Sequence, residues 1–318
     1  MHLSDSSTTS LPLVINQAAQ PGKSFAMWFV ANNDHITEQL HEYGALYFPQ
    51  AALDSLDSFE AFIGHLPESF KTKTYVGGNS FRSKYTSSIY NASEFEPTEH
   101  MRLHTEFSHS PNWPNYLFFC CVQPARAGGQ TTVADTKAVM SHLSPQLKAD
   151  FAAKGITYIR NLHGGSGLGP SWQQSFETDD QSSVECYCQE NNIHYTWKPD
   201  GGLKLEHTLP AFTKHPVTGE DVWFNQVEHF HPSIYGEEIF ETLMMLHDYD
   251  ESMLPMYVTY GTGESIPPAS VMQIHQALAQ EERKVEWQKG GLLLVDNLLA
   301  LHGRAAFEGN RSVLVAMI

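Results

Sequence analysis

The sequence predicts a mainly β fold with helical insertions (α+β): a jelly roll, or a β-barrel decorated by helices. Three observations predict it. From about Tyr85, short apolar or alternating runs follow one another, "YTSSIYN", "MRLHTEF", "YLFFCCVQP" and "TTVADT", with Pro111, Pro114, Pro124 and Gly128-Gly129 between them. That texture is antiparallel strands joined by turns. Two further apolar runs, "GGLLLVDNLLALHG" and "RSVLVAMI", close the chain as plain strands. Finally, no strand–glycine loop–helix unit of the dinucleotide or P-loop kind occurs, because the segment after "GGSGLGP" is polar and has no helical period.

In order, residues 1–20 open on a Ser/Thr-rich tract and read as a flexible N-terminus. Ile36, Leu40 and Tyr43 recur at three- and four-residue spacing, which predicts a helix over Ala31 to Tyr43, with the strand "GALYFP" after it. "SLDSFEAFIGHL" predicts a second amphipathic helix, and "TKAVMSHLSPQLKADFAAKG" a helix pair in which Ser144-Pro145 starts the second member. Residues 161–185 are glycine-rich and then polar; a loop of that length inside a compact domain is more often an active-site lid than an idle connection. "EDVWFNQVEHFHP" resumes strand character, and "GEEIFETLMMLHDYD" and "PPASVMQIHQALAQEERKVEW" are helical. With no internal repeat, 1–318 reads as a single domain long enough to bury a substantial core.

Composition excludes several functions. At 41% hydrophobic and 17% charged residues the chain is globular, not disordered. A net charge of −17 disfavours nucleic acid and anionic membrane as partners. The N-terminus has no basic region followed by an apolar run, and no apolar stretch approaches the roughly 20 residues that span a bilayer, so a soluble cytoplasmic protein is expected. Cys120, Cys121, Cys186 and Cys188 form two tight pairs without zinc-type spacing and are expected to be reduced, buried thiols. The sequence carries no signal of an oligomeric state.

The chemistry begins at "RLHTEFSHSPNWP". On a strand, successive side chains point to opposite faces, so His104 and Glu106 share one face. An imidazole and a carboxylate side by side suit a borderline divalent ion, and a second imidazole would complete a 2-His-1-carboxylate facial triad with open positions opposite. Seventeen histidines leave the third ligand ambiguous by count. His302 stands out because it ends the apolar run "LLLVDNLLALH" and Arg311 follows nine residues later. A buried arginine beside a metal is costly without an anion, and a small dicarboxylate chelating the metal would supply one.

Taken together, "HTEF … GGQTTVAD … VDNLLALHGRAAFEGNR" resembles the TauD/TfdA (taurine dioxygenase-like) family of Fe(II)/2-oxoglutarate-dependent dioxygenases over about residues 20–318. "HTEFSHSPNWPNYLFFCC", "HPVTGEDVWFNQ" and "GGLLLVDNLLALHGR" are similar to its syringomycin-biosynthesis-type hydroxylase branch, found beside nonribosomal peptide and other amino-acid-derived natural-product pathways. The resemblance implies a double-stranded β-helix (jelly-roll) core flanked by helices. It implies His104, Glu106 and His302 as iron ligands, Arg311 as the residue holding the C5 carboxylate of 2-oxoglutarate, and Thr131 as a hydrogen-bond partner of the same cosubstrate. Thr131 lies 27 residues after His104 (131 − 104), as in the family. Taurine dioxygenase has a further arginine four residues beyond the cosubstrate arginine, helping to hold the sulfonate; here Val315 stands there, which disfavours a sulfonate substrate.

By the same resemblance, Fe(II), 2-oxoglutarate and O2 would hydroxylate an aliphatic carbon of an amino acid or derivative, free or tethered to a carrier protein, releasing succinate and CO2. Desaturation and epoxidation are variants. Related halogenases replace the carboxylate ligand with a small residue, so Glu106 favours hydroxylation. His100, Ser108, Asn225 and Arg304 are candidate substrate contacts, Arg304 alternatively bracing the strand end near Asp296, while His229 and His231 read as structural. Competing readings are a cupin-like metalloenzyme that does not use 2-oxoglutarate, which Arg311 and Thr131 argue against, and a non-catalytic binding protein, which an intact triad argues against.

Overall fold

The computed structural model describes residues 11–16, 24–70, 76–78, 83–92 and 94–318. In chain order its elements are β1 (Leu13–Val14), α1 (Phe25–Ala31), α2 (Asn33–Tyr43), β2 (Ala45–Phe48), α3 (Leu56–Gly64), β3 (Ile89–Asn91), β4 (Met101–His104), β5 (Tyr116–Gln123), β6 (Ala127–Gly128), β7 (Thr131–Asp135), α4 (Thr136–His142), α5 (Pro145–Lys154) and β8 (Ile156–Leu162). Then follow α6 (Trp172–Phe176), α7 (Gln181–Glu190), β9 (His194–Trp197), β10 (Leu203–Leu209), β11 (Phe212–Lys214), β12 (Asp221–Trp223), α8 (Val227–Phe230), α9 (Glu237–Leu246), β13 (Met256–Tyr260) and α10 (Pro268–Glu281). β14 (Arg283–Val285), β15 (Leu292–Asp296), β16 (Ala300–Arg304), β17 (Phe307–Glu308) and β18 (Ser312–Met317) complete the chain.

Two sheets form the jelly roll. One runs β1-β2-β15-β5-β18-β3 and the other β14-β7-β16-β4. Tyr47, Phe119, Leu293 and Val315 of the first pack against Val133, Val285 and Ala300 of the second. The outer face of the first sheet is covered by Trp28, Phe29, Leu40, Phe59 and Phe62 of α1–α3. Leu103, Ala134 and Leu301 on the outer face of the second meet α4, α5, α8 and α10. A third sheet, β13-β8-β10-β9, extends the fold beside them. Burying both faces of a sheet requires near-continuous apolar runs, and "LLLV" in β15 and "YLFFCCV" in β5 are such runs.

The structure departs from the sequence reading at five places. The run "GGLLLVDNLLALHG" is two strands in two different sheets, broken at Asp296, whose Oδ1 accepts the backbone N–H groups of Leu298 and Leu299 at 3.0 and 3.1 Å. The helix expected over 31–43 is α2, but a further helix, α1, precedes it, and the two meet at Asn32, whose N–H turns back to Phe29 and Trp28. Residues 161–185 are not an extended loop, since they finish β8, form α6 and enter α7; Ser171 and Gln174 close a capping box. "EDVWFNQVEHFHP" keeps strand only over Asp221–Trp223 before turning into α8. Cys186 is exposed, while Cys120, Cys121 and Cys188 are buried and all four are free thiols. Of the N-terminal stretch, 1–10 and 17–20 lie outside the described residues, whereas Leu13 and Val14 pair in parallel with Leu46 and Tyr47.

Candidate active site

His104 ends β4, His302 sits mid-way along β16, and the two are direct partners across the antiparallel pair. Their ring centroids lie 4.3 Å apart. Glu106 does not share their strand, as the alternation argument required, because β4 stops at His104. It is delivered by a turn in which Phe107 takes a φ of 58°. Asn297 grips that turn from both sides: its Oδ1 accepts the Glu106 N–H at 2.7 Å, and its Nδ2 donates to the carbonyls of Glu106 and Pro114, each at 2.9 Å. Glu106 Oε2 then stands 3.5 Å from His302 Nε2 and 3.9 Å from His104 Nε2.

One donor atom from each of the three side chains falls within 4.8 Å of the others. His104 Nδ1 lies 2.9 Å from the Arg102 carbonyl, which can only accept, so Nδ1 carries the proton and Nε2 turns its lone pair to the centre. Ligating histidines are held in this way. His302 Nδ1 is buried with no hydrogen-bond partner, its ring packed 5.2 Å from that of Phe119. Two imidazole nitrogens and a carboxylate oxygen, converging from one side, fit divalent iron with positions left open opposite.

A small chamber lies beside the two histidines, lined by Ala92, Met101, His104, Phe119, Thr131, His302, Gly303, Arg304 and Arg311. Arg311 Nε donates to the Gly129 carbonyl at 2.8 Å, and its Nη2 approaches Thr131 Oγ1 at 3.5 Å. Trp287 Nε1 donates to the same hydroxyl at 3.1 Å. Gly129, at φ 73°, lets the guanidinium in; a Cβ there would stand 3.0 Å from Arg311 Cδ. Burial, with Arg304 nearby, brings the Arg311 pKa down to about 10, so the group stays cationic at neutral pH while losing hydration. The chamber therefore offers metal-facing groups at one end and a desolvated cation at the other.

The family model for the taurine catabolism dioxygenase TauD, TfdA family matches residues 9–317. The chain belongs to the TauD/TfdA family. It is an iron- and 2-oxoglutarate-dependent oxygenase. The chain is 35% identical over 283 residues to the dapdiamide synthesis protein DdaC of Enterobacter agglomerans, a match covering 89% of this chain and 84% of DdaC. It is 26% identical over 302 residues to a clavaminate synthase-like protein of Arabidopsis thaliana, covering 92% and 87%. Among solved structures, PvcB of Pseudomonas aeruginosa superposes with a TM-score of 0.54 at 14% identity, covering 96% of this chain and 84% of PvcB. PvcB is described as an Fe, alpha-ketoglutarate dependent oxygenase from an isonitrile synthetic pathway. At that identity the likeness establishes the shared fold.

In this TauD/TfdA chain three of the four candidate substrate residues are engaged elsewhere, while Arg304 also lines the cavity beside Arg311. His100 Nε2 lies 3.3 Å from Glu282 near the surface. Ser108 Oγ accepts from Thr105 Oγ1 at 2.8 Å and donates to the Thr105 carbonyl, closing the turn after the ligands. Asn225 bonds the Ala211 carbonyl and the Val227 N–H, at the start of α8. Arg304 donates to the carbonyls of Phe95, Glu96 and Glu99, bracing the lead-in to β4, and does not meet Asp296. Asp296 pairs with His215 instead. His215 Nδ1 accepts two backbone N–H groups, from Val217 and Thr218, so its Nε2 is protonated and donates to Asp296 Oδ2 at 3.1 Å. His41, His215 and Asp296 thus sit within metal-binding reach of one another without a free histidine lone pair at His215, and the cluster is structural.

Sequence reasoning missed Asn297 and Trp287, and it set His229 aside as structural. Asn297 was hidden in an apparent strand, and Trp287 in an apparent helix. The His229 ring lies 5.0 Å from that of His104. Burial first, then the neighbouring His104, Arg102 and His302, hold its pKa well below the ordinary range, so it is neutral. Its nitrogens fall outside the converging donor group, so it stands beside the ligands and is not one of them.

Proposed function

We propose that this oxygenase hydroxylates an aliphatic carbon of an amino acid or amino-acid-derived metabolite in natural-product biosynthesis, with succinate and CO2 as coproducts. His104, Glu106 and His302 hold the iron; Arg311 and Thr131 hold the far carboxylate of 2-oxoglutarate. The observation that carries this is a small cavity, lined by His104 and His302 as well as by Thr131 and Arg311, that lies between the donor cluster and the buried arginine. Bound iron, with 2-oxoglutarate as the reductant that is oxidatively decarboxylated to succinate and CO2, would supply the oxidising power, and O2 the oxygen atom. The protein's part is placement. Arg102, through its carbonyl, holds His104 in the ligating tautomer. Asn297 sets the Glu106 backbone. The Arg311 fork and the Thr131 hydroxyl would receive a carboxylate with charge-assisted hydrogen bonds. Retention of Glu106 supports hydroxylation, since the carboxylate occupies the position a halide would need. The DdaC and PvcB names, from dapdiamide and isonitrile synthesis, support a biosynthetic setting.

The test is succinate release with Fe(II), ascorbate, 2-oxoglutarate and O2 across free amino acids and derivatives, with mass analysis for gain of one oxygen. His104→Ala and His302→Ala are expected to abolish iron-dependent turnover. Arg311→Ala is expected to raise the 2-oxoglutarate requirement by about 10- to 100-fold, the scale of a lost charge-assisted pair. Equal 2-oxoglutarate affinity in wild type and Arg311→Ala would remove the cosubstrate assignment.

A further inference from the structure

We propose that Arg102 and His229 form the substrate-anchoring site of this enzyme, Arg102 taking a carboxylate of the substrate and His229 orienting the polar group beside the carbon to be oxidised. The inference rests on the iron-triad reading above and adds a class of substrate to it.

Arg102 lies two residues before His104 on β4, where the pairing with β16 shifts register, and its guanidinium is directed to Glu228, the residue next to His229. The guanidinium is held in place from two directions. Arg102 Nε lies 3.8 Å from Glu228 Oε1, and its Cζ sits 4.8 Å from the centre of the Tyr235 ring. Glu228 is itself buried and shares the same oxygen with His275 Nδ1 at 2.7 Å, so its charge is divided between two partners. Among the described residues, the terminal nitrogens of Arg102 make no hydrogen bond. An arginine fork with both terminal groups unengaged, stacked and braced at its Nε, is pre-organised for a carboxylate. The Arg102 side chain is 26% exposed and Tyr235 is exposed, so an anion can reach the fork from solvent.

His229 stands next to Arg102 and against His104, and its ring makes no hydrogen bond among the described residues. It does not line the chamber that leads to Arg311. The cosubstrate chamber and the Arg102–His229 pair thus meet at His104 with no other lining residue in common. A substrate held by its carboxylate at Arg102 reaches past His229 to the metal, and a neutral imidazole can donate to or accept from an amine, amide or hydroxyl on the way.

A phosphate at the end of a carrier arm would offer the same fork anionic oxygens, so the experiment separates the two. Anaerobic protein with Fe(II) and 2-oxoglutarate is titrated with free L-amino acids, with their primary amides, and with phosphopantetheine, and the visible charge-transfer absorption is followed. The acids are expected to shift it and the amides are not. In Arg102→Gln the absorption itself is retained while the acid-induced shift needs about 10- to 100-fold more probe, the cost of losing a charged hydrogen-bonding partner; Arg102→Lys recovers part of it. With any acid found to be a substrate, His229→Leu is expected to lower product formed per succinate released. The proposal fails if no acid shifts the wild-type spectrum, if amides or phosphopantetheine act where acids do not, or if Arg102→Gln binds acids as tightly as wild type. An unchanged product-to-succinate ratio in His229→Leu removes the histidine from it. Absence of any absorption with Fe(II) and 2-oxoglutarate in wild type would instead defeat the iron-triad reading.

Discussion

Asn297 donates nothing to a metal, yet it decides where Glu106 stands. Replacing it with alanine leaves the Glu106 N–H and two carbonyls buried without their partner, at a cost of about 1–3 kcal/mol for each unsatisfied group. Asn297→Ala is expected to lower the thermal midpoint and to weaken iron retention more than an equally destabilising core variant does; chelator competition alongside thermal unfolding checks this. A second residue-scale prediction concerns His109. It is buried against Arg160 and bonded to the Gly77 carbonyl, and burial first, then Arg160, brings its pKa down to about 3. Between pH 6.5 and 3 the unfolded chain binds a proton that the folded chain refuses. Stability contributed through His109 is therefore unaffected above pH 6.5 and falls as pH drops below it, by about 2 kcal/mol at pH 5. Denaturant midpoints between pH 7 and 5 should fall less steeply in His109→Gln than in wild type.

At the scale of elements, the pairing of β16 with β4 puts the two histidines opposite each other, and Gly303 permits it. A Cβ at that position would stand 2.5 Å from the Met101 carbonyl oxygen and 2.7 Å from Thr132 Oγ1, both in the flanking strands. The Met101 oxygen is backbone and cannot rotate aside, so Gly303→Ala must push β4 away from β16. Loss of iron binding with far-UV circular dichroism largely retained is the expected result; unaltered iron affinity would show that the strands tolerate the shift. The element scale is also where the sequence was hardest to read. His104 and His302 were legible because each ends or follows an apolar run and a cosubstrate arginine lies nearby. The break at Asp296-Asn297 was not, because apolar residues continue on both sides and the turn is made by side-chain bonds that periodicity does not register. The helices within residues 161–185 were not foreseen for a related reason. Ser171 and Asp180 cap short helices whose buried faces, Trp172, Phe176, Val184 and Cys188, are too brief to set up a helical period among polar neighbours.

For the whole molecule, the apolar clusters on either side of the two sheets, and between them, include none of His104, Glu106 and His302. Removing iron with a chelator should abolish succinate formation and leave the circular dichroism spectrum unchanged, with activity returning on Fe(II) addition; unfolding on chelation would mean that the metal is structural. No helix among the described residues is long and apolar enough to cross a membrane. The sequence by itself determined the family and the mainly β class, and it named the three residues that the fold brings together as a candidate donor set, because those rest on residue types at short spacings and on runs of apolar side chains. Only the tertiary structure decided which face each ligand enters from, that Glu106 comes from a turn held by Asn297, and that Arg304, Ser108 and Asn225 are braces. It also decided that Arg102 and His229 stand beside the ligands. Those outcomes depend on strand register and on contacts between segments up to about 200 residues apart, such as Asn297 with Glu106 across 191 positions, and local patterning carries no information about such pairings.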